Sequence, residues 1–332
     1  MLVNTPNGLY CPAGDFHVDP RRGVERALIT HAHSDHARSG SQGYWCAQPG
    51  LGVLRERLKP SAAITGVAYG QSLRFKDVQI SFHPAGHVLG SAQIRLEHRG
   101  EVWVVSGDYK LQPDPTCTPF EPVRCHTFIT ECTFGLPIYQ WPTPESVFHA
   151  IRSWWQSNSQ AARTSVLHAY SLGKAQRLLS GLDPAQGPLL VHGSILPALR
   201  AYRAEGICLP EVERLSEERL RTAAGRALVI TPPQADEPAS LVGPGGVSRA
   251  FASGWMHVRG GRQGRGSDTG FVLSDHADWP GLTQAIQATN ARRILVTHGS
   301  TRPLVRWLRE KGLDAASLEA PARVVEEGSA PS

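Results

Sequence analysis

The hexapeptide from His31 to His36 constrains this chain more than any other feature, because four of its six side chains can bind a metal ion. It directly follows residues 24–30, whose apolar pattern predicts a short buried strand. Neutral imidazoles and carboxylates bind divalent transition metals at about 2.0–2.2 Å, and a loop at a strand end can direct alternate side chains to different ions. We therefore predict that His31 and His33 bind one ion, rather than lying in a hydrated histidine-rich turn. Asp35 and His36 are predicted to bind its neighbour.

The chain is long enough for two domains. Its 332 residues exceed the roughly 250–300 at which a single hydrophobic core usually stops growing, so we expect two domains or one domain with a large insertion. Hydrophobic residues make up 41% and charged residues 19%, which indicates a globular protein. The net charge of +5 weakly favours a phosphate-rich partner.

Nothing in the sequence indicates export or membrane insertion. No run approaches the ~18 apolar residues of a membrane span, and the N-terminal segment lacks the basic and apolar regions of a signal peptide. The six cysteines are scattered without a CxxC pair, which argues against a disulfide scaffold or a zinc ribbon. We therefore expect a cytoplasmic protein with reduced thiols and no membrane partner.

Two patterns of secondary structure alternate along the chain. Short apolar segments that end in polar or glycine residues predict strands, at residues 24–30, 78–82, 92–97, 102–106, 127–130, 166–169, 189–191, 227–230, 270–274 and 293–297. Helical spacing of apolar residues predicts helices, at residues 145–156, 174–182, 196–204, 211–224 and 303–311. The alternation of strands and helices between residues 145 and 255 predicts a small α/β unit. The strands outside it favour stacked sheets.

The hexapeptide resembles the metal-binding motif of the metallo-β-lactamase fold, and three further residues match the rest of that pattern in the expected order. Asp19 resembles the aspartate that orients the histidine loop, and Asp15 is its competitor. His87, in Ala-Gly-His-Val, resembles the third motif, and Asp108, in Ser-Gly-Asp-Tyr, resembles the bridging carboxylate. The resemblance implies a metal-dependent hydrolase, and the fold alone does not decide its substrate.

Three later motifs resemble those of the β-CASP nucleases. They are Glu131 in Thr-Glu-Cys-Thr-Phe, His276 in Ser-Asp-His-Ala-Asp and His298 in Thr-His-Gly. The segment between Glu131 and His276 has the position and size of the inserted β-CASP domain. The resemblance, which covers nearly the whole chain, implies an α/β fold, an αββα metallo-β-lactamase sandwich with an inserted α/β β-CASP domain. The expected parts are the first part of the metallo-β-lactamase domain at 1–144, the β-CASP domain at 145–255, and the second part at 256–332.

Two segments inside the expected insertion resemble a particular group of these nucleases. Residues 168–174, His-Ala-Tyr-Ser-Leu-Gly-Lys, and residues 252–255, Ala-Ser-Gly-Trp, are similar to elements of the DNA cross-link-repair and Artemis-type nucleases. The overall pattern resembles the bacterial ligase-associated DNA exonuclease family. His298 departs from the cross-link-repair group, which has an apolar residue there, and resembles the RNA-cleaving members instead. DNA or RNA as substrate, and one metal ion or two, therefore stay open at this point.

The resemblance implies two divalent ions, with zinc favoured by the mixed histidine and aspartate ligands and manganese as its competitor. It assigns seven ligands to the ions, arranged as His31, His33 and His87 on one, Asp35, His36 and His298 on the other, and Asp108 between them. Asp19 is expected to orient the ligands through hydrogen bonds rather than to bind metal.

The same resemblance leaves His276 without a metal ion to bind. A histidine beside a carboxylate is suited to protonate the leaving group of a phosphodiester, and Glu131 is expected to orient the imidazole and keep it charged. His276, Glu131, Asp108 and Asp19 form the expected catalytic set.

A further set of polar and basic side chains is expected to contact substrate phosphates. Its members are Tyr170, Ser171, Lys174, Ser274, Arg259, Arg262 and Arg265. Ser171 is equally suited to cap a helix, and the three arginines could instead belong to a solvated loop. His17, His83 and His192 are not expected to bind metal.

These motifs predict a metal-dependent phosphodiesterase that acts on DNA in repair, as an exonuclease that attacks single-stranded or frayed DNA from the 5′ end. An RNA-processing nuclease is the nearest alternative, favoured by His298. A small-molecule metallo-hydrolase lacks the insertion, and a non-catalytic nucleic-acid-binding scaffold loses metal ligands that this chain keeps. A DNA ligase or helicase as partner is implied only by the name of the resembling family.

Overall fold

A computed structural model describes residues 1–236, 238, 241–258 and 267–318 of the chain. This part of the chain is a mixed α/β structure with three sheets. None of its helices is both long and apolar enough to cross a membrane.

The strands are short and together form the three sheets. In chain order they are β1 Val3–Thr5, β2 Gly8–Cys11, β3 Phe16–Val18, β4 Arg26–Leu28, β5 Gly43–Ala47, β6 Ala63–Val67, β7 Ser72–Phe75, β8 Val78–Pro84, β9 Ala92–His98, β10 Glu101–Val105, β11 Thr127–Glu131, β12 Thr164–His168, β13 Leu189–Val191, β14 Glu213–Arg214, β15 Leu228–Thr231, β16 Val247–Ala252, β17 Thr269–Phe271, β18 Arg293–Thr297 and β19 Asp314–Ser317.

Three of the α-helices described here begin at a capping side chain, which is Thr143, Ser216 or Asp278. The hydroxyl of Thr143 accepts a hydrogen bond from the N–H of Ser146 at the start of the second helix, and Asp278 accepts one from Gly281 in the same way. In chain order the α-helices are α1 Leu51–Arg57, α2 Pro144–Gln160, α3 Lys174–Ser180, α4 Leu196–Ala204, α5 Glu217–Ala223, α6 Trp279–Thr289 and α7 Thr301–Glu310.

The first two sheets bring together strands from both ends of the chain. The first contains β1 to β6 in chain order, antiparallel up to β3 and parallel from there on. The second has the order β19-β18-β11-β10-β9-β8-β7, with parallel pairing from β10 to β19. Since β10, β11 and β18 are parallel, the loops that follow their carboxyl ends leave the sheet at the same edge.

The third sheet is parallel throughout, with the order β14-β13-β15-β12-β16-β17. Strands alternate in the chain with α2, α3, α4 and α5, as expected for parallel strands joined by helical connections. β17 lies beyond residue 255 and still pairs with β16 of this sheet. The domain boundaries at 144/145 and 255/256 stay predictions.

Hydrophobic clusters join the layers. One cluster contains Phe16 and Leu28 of the first sheet together with Ile80 and Ile94 of the second. Another combines strands of the first sheet with Tyr202 of α4, whose hydroxyl accepts a hydrogen bond from the N–H of Leu89. These contacts attach α4 to the first sheet and to the loop that carries Leu89.

Most predicted elements are present, and the differences have local causes. The strand predicted at residues 24–30 ends at Leu28, because the N–H of Thr30 bonds to the carboxylate of Asp19 instead of to a neighbouring strand. The helix predicted at residues 211–224 begins only at Glu217, after a cap by Ser216. The strands β1, β2, β3, β5, β6, β7, β14, β16 and β19 and the helices α1 and α6 were not predicted. Most of these segments are too short to carry a clear periodicity.

Candidate metal centre and catalytic cleft

Four of the predicted metal ligands converge in the structure. Nδ1 of His33 lies 3.1 Å from Nε2 of His31 and 3.1 Å from Nε2 of His87. Oδ2 of Asp108 lies 3.5 Å from Nε2 of His31 and 3.8 Å from Nε2 of His87, and one ligand atom from each of the four residues lies within 4.8 Å of the others. The histidine loop follows β4, whereas His87 follows β8 and Asp108 follows β10, so two sheets are needed to assemble this His/Asp cluster.

The three histidines of the cluster are neutral at physiological pH. Burial lowers the pKa of His31 and of His87 well below the usual value, and neighbouring imidazoles lower it further. Burial also lowers the pKa of His33. Neutral imidazole is the form that binds metal, so the protonation state of the cluster fits a divalent ion.

Asp19 supports the histidine loop from behind. Its Oδ1 accepts a hydrogen bond of 2.8 Å from the N–H of Thr30, and its Oδ2 accepts one of 2.6 Å from the Thr30 hydroxyl. Oδ2 also lies 2.7 Å from Nδ1 of His36. A Cβ at Gly107 would lie 2.6 Å from Cβ of Thr30, so a glycine is needed beside this loop. These contacts agree with an orienting role for Asp19.

The second nitrogen of His36 also fits a metal ligand. Nε2 is buried without a hydrogen-bond partner in the described part of the chain, and it lies 3.6 Å from Oδ2 of Asp108. Burial alone would lower the pKa of His36, but the carboxylates of Asp108 and Asp19 outweigh it and raise the pKa to about 10. A buried ring nitrogen that faces a carboxylate across this distance is suited to exchange its proton for a metal ion.

The other two predicted ligands lie on the open side of the cluster. Oδ2 of Asp35 lies 3.7 Å from Nε2 of His36, and the Asp35 side chain is 65% exposed. The imidazole of His298 stacks at 5.4 Å from that of His36. His298 and Gly299 both have positive φ, and a Cβ at Gly299 would lie 2.3 Å from the backbone carbonyl oxygen of Cys132, the residue after β11. A second ion at Asp35, His36 and His298 stays a prediction.

Glu131 and His276 form an ion pair beside the cluster. Nδ1 of His276 lies 2.9 and 3.0 Å from the two carboxylate oxygens of Glu131, which also accept hydrogen bonds from the N–H of Tyr109 and the hydroxyl of Thr133. Burial alone would lower the pKa of His276, but Glu131 and Asp108 outweigh it and raise the pKa to about 9. Burial alone would raise the pKa of Glu131, but the imidazolium outweighs it and lowers the pKa. The imidazole is therefore protonated at neutral pH.

We expect the metal-free protein to lose stability as the pH rises above neutrality. Because folding raises the pKa of His276 from 6.5 to about 9, its contribution is complete below pH 6.5 and is lost as the pH rises through 9. Folding also raises the pKa of His36, so its contribution to stability is lost with rising pH in the same way. Thermal unfolding in chelator, below pH 6.5 and above pH 9, measures the effect. Glu131→Gln should flatten the dependence, and an unchanged slope in that variant would contradict the assignment.

A buried network of five charges underlies the loop that carries His276. Nζ of Lys174 lies 2.9 Å from the Asp275 carboxylate, and Nη1 of Arg177 lies 3.7 Å from it. Arg177 also lies 3.4 Å from Asp114, which lies 2.6 Å from Nζ of Lys110. Buried charges are tolerated only when they are paired, so helix α3 is tied to this loop by its charged side chains.

The network extends to the His/Asp cluster through a backbone atom. The carbonyl oxygen of Asp275 lies 2.7 Å from Nδ1 of His87 and so accepts its hydrogen. This bond sets the tautomer of His87 and leaves Nε2 as the nitrogen that faces Asp108. Helix α3 therefore positions both His87 and His276.

Replacing Arg177 by methionine is expected to destabilise the fold by about 1–3 kcal/mol, because the buried carbonyl oxygen of Ser274 loses its donor while Asp275 and Asp114 each keep only a lysine as partner. Arg177 is 1% exposed, so solvent does not replace its guanidinium. Urea unfolding of the purified variant measures the loss. Arg200→Met is the matched control, since the Arg200 side chain is 66% exposed in its pair with Glu56 and its loss should cost under about 1 kcal/mol. Equal costs in the two variants would contradict this account.

A cleft of about 740 Å³ opens over the cluster and is lined by several of the predicted phosphate ligands. Tyr170 and Ser171 reach it with exposed or half-exposed side chains. Lys174 and Ser274 are only 4% and 2% exposed. Lys174 is engaged by Asp275, and the hydroxyl of Ser274 accepts a hydrogen bond from the N–H of His276. Both side chains thus have partners within the protein, and phosphate binding by Lys174 and Ser274 stays a prediction.

Several other residues considered in the sequence lie away from the cluster or outside the described residues. Arg259, Arg262 and Arg265 lie in the segment that the structure does not describe. Asp15 pairs with Lys76 and Arg26 at 3.0 and 3.2 Å. These pairs lie away from the histidine loop that Asp19 supports.

The three histidines not expected to bind metal have local partners. The ring of His17 packs at 4.7 Å from that of Tyr10, and Nε2 of His83 lies 3.0 Å from the hydroxyl of Ser81. Nδ1 of His192 lies 2.9 Å from the hydroxyl of Ser194 at the start of a 3₁₀ turn.

Several residues that support the site were not predicted from the sequence. Thr30 precedes His31 directly, and Asp275 precedes His276 directly, so proximity in the sequence was the available signal for both. The pairing of Asp275 with Arg177 joins residues nearly a hundred positions apart, and no motif marks it.

The comparisons with known proteins agree with this geometry. No family model matches the chain. The chain is 33% identical over 319 residues to a "Probable DNA ligase" of Opitutus terrae, covering 95% of this chain and 31% of that protein. It is 25% identical over 218 residues to a ribonuclease of Thermus thermophilus, covering 56% of this chain and 47% of that protein. The chain therefore spans less than half the length of both relatives.

A solved structure is similar in fold. It is the crystal structure of a protein of unknown function from Enterococcus faecalis, with a TM-score of 0.54 and 12% identity, covering 82% of this chain and 74% of that one. The ordered motifs, their convergence around one cleft and the relatives in sequence lead to one assignment: the chain belongs to the metallo-β-lactamase β-CASP family of nucleases.

Proposed function

We propose that the chain is a metal-dependent phosphodiesterase that shortens DNA from a 5′ end, acting on single-stranded or frayed DNA in repair. The observation that carries the proposal is the Glu131–His276 ion pair, whose imidazole nitrogen Nδ1 lies 4.0 Å from Oδ2 of Asp108 in the His/Asp cluster. A proton donor is thus available beside groups that can hold metal, within one cleft. Hydrolysis of a phosphodiester needs both.

The proposed architecture is an αββα sandwich with an inserted α/β β-CASP domain at residues 145–255. Support for the sandwich comes from the hydrophobic cluster that the first two sheets share. Support for the insertion comes from the parallel sheet formed mainly by strands between residues 164 and 252. A cleft between such an insertion and the His/Asp cluster would enclose an extended strand.

We assign two divalent ions to the cluster, with zinc as the first candidate and manganese as the second. The neutral imidazoles and the unpartnered Nε2 of His36 fit this assignment. His31, His33 and His87 would hold one ion and Asp35, His36 and His298 the other, with Asp108 between the two. When bound, such ions neutralise charge on the phosphate and make a nucleophile available near neutral pH.

The protein itself supplies the proton for the leaving oxygen. Glu131 holds Nδ1 of His276 and keeps the ring charged, so that Nε2 is left to donate. Thr133 and Tyr109 hold the Glu131 carboxylate in place through hydrogen bonds. After donation, the neutral imidazole regains a proton from solvent at neutral pH because of its raised pKa.

RNA is the second candidate substrate. His298 lies beside His36 in the cleft, and the ribonuclease of Thermus thermophilus is among the relatives. DNA is favoured because the similarity to the probable DNA ligase extends over 95% of this chain. That relative also makes a DNA ligase the first candidate partner, ahead of a helicase.

The two substrates are distinguished by parallel digestion of a 5′-phosphorylated single-stranded DNA and the RNA of the same sequence. Each is labelled separately at either end and incubated with zinc or manganese, and Asp108→Ala is the inactive control. Stepwise shortening of DNA from the 5′ end is the expected result. Cleavage of RNA alone would assign the chain a function in RNA maturation. Cleavage of neither substrate would favour a small-molecule hydrolase or a non-catalytic scaffold.

A further inference from the structure

An aromatic cluster lines the cleft beside His276. Phe134 is 2% exposed, and its ring centroid lies 4.8 Å from that of Trp141 and 4.7 Å from that of Trp255. The Phe134 centroid lies 6.1 Å from that of His276. The indole N–H of Trp141 donates a 2.9 Å hydrogen bond to the backbone oxygen of His276. The buried part of the cluster therefore holds the backbone that carries the proposed proton donor.

Trp255 is the outer member of this cluster, and it is held in place although it is 42% exposed. The hydroxyl of Ser253 accepts a hydrogen bond of 3.3 Å from the N–H of Trp255. A Cβ at Gly254 would lie 2.5 Å from the ring of Phe134, so only glycine lets the backbone pass this close. The indole is thus backed by Phe134 and stays partly exposed.

The exposure of Trp255 is not part of a general pattern. The described residues include five exposed large hydrophobic side chains, which are Val3, Ile138, Tyr170, Val242 and Trp255. The two aromatic ones both line the cleft above the His/Asp cluster, and the three aliphatic ones do not. Aromatic rings exposed in a cleft are the usual stacking platforms for single-stranded nucleic acid.

We propose that Trp255 stacks on a nucleobase of a single-stranded nucleic acid, at the nucleotide next to the phosphate that lies at the His/Asp cluster. This inference rests on the proposed phosphodiesterase function. The indole and the imidazole of His276 are both in contact range of Phe134, which brings the base and the reacting phosphate within one nucleotide of each other. Tyr170 provides a second exposed ring in the same cleft.

Stacking predicts a dependence on the presence of a base but not on its identity, because every base has a π-face. Trp255→Ala should raise KM for a single-stranded oligonucleotide by roughly tenfold to a hundredfold, with a smaller change in kcat. In Trp255→Phe, KM should return most of the way to the wild-type value. An oligonucleotide of the same length made of abasic residues should bind wild type and Trp255→Ala equally well, since it has nothing to stack.

Kinetics and fluorescence anisotropy on these protein–ligand pairs test the inference, with Val3→Ala as the control for loss of an exposed apolar side chain outside the cleft. An equal loss of affinity for the normal and the abasic strand in Trp255→Ala would assign the indole a structural role and overturn the proposal. An unchanged KM would also overturn it while leaving the phosphodiesterase function intact. If wild type binds the strands without cleaving them, the proposed function fails, and the anisotropy data alone decide on stacking.

Discussion

Asp108→Ala is expected to remove metal and nuclease activity together. Oδ2 of Asp108 lies within 3.5 to 4.0 Å of ring nitrogens of four histidines, which are His31, His36, His87 and His276. Its loss leaves only neutral imidazoles at one proposed ion site and removes the carboxylate between the two proposed sites. The loss of activity should exceed the roughly 10–100-fold that removal of an outer hydrogen-bond partner costs.

Metal content per chain, measured by mass spectrometry on protein purified without chelator, checks this result beside the digestion assay. Asp15→Ala is the matched control, because the Asp15 carboxylate is 38% exposed and pairs with Arg26 and Lys76 instead of with the cluster. The control should keep full metal content and activity. Full metal content and activity in Asp108→Ala would show that the cluster is not the catalytic centre.

His276→Ala is expected to lower kcat by about 10²–10⁴-fold, the usual contribution of a positioned general acid. Metal content should stay at the wild-type level, since the ring is held by Glu131 and is assigned to no ion. Steady-state kinetics and metal analysis of the same preparation give the two numbers. Wild-type activity should also fall as the pH rises through about 9, where the imidazolium loses its proton.

The competing assignment makes a different prediction. One carboxylate oxygen of Asp108, one of Glu131 and a nitrogen of His276 lie close enough together to hold an ion of their own. Loss of one metal ion per chain in His276→Ala would therefore make this residue a ligand. Glu131→Gln separates the two roles further, because it should lower the pKa of His276 and shift the alkaline limb of the pH–rate profile to lower pH.

The sequence alone was sufficient to find the residues of the His/Asp cluster. Four metal-capable side chains in six positions have few alternative explanations, and the later motifs followed in the expected order. Asp19 was separated from Asp15 only by its place in the motif, and the structure supports that choice through its bonds to Thr30 and His36. Local spacing carries this information because metal ligands on one loop must point to a common centre.

The supporting contacts could not be found this way. The glycine-containing turn before Lys174 predicts a phosphate ligand, whereas the structure shows its ammonium buried against Asp275 and the carbonyl oxygen of Leu273. Burial depends on what packs over a residue, and here the loop before His276 covers it. Trp255 is a similar case. It belongs to a motif of the sequence, but its packing against Phe134 and its partial exposure are visible only in the structure.

The sequence by itself determined the family, the set of metal-capable residues and the mixed α/β character, because each depends on residue types at short, ordered spacings. The tertiary structure alone decided which groups are neutral, which are charged and which are accessible. His31 and His87 lose their protons through burial, whereas His276 keeps its proton through Glu131, a residue 145 positions away in the chain. Protonation and exposure follow from neighbours in space, and those neighbours are set by strand pairing and packing between distant segments.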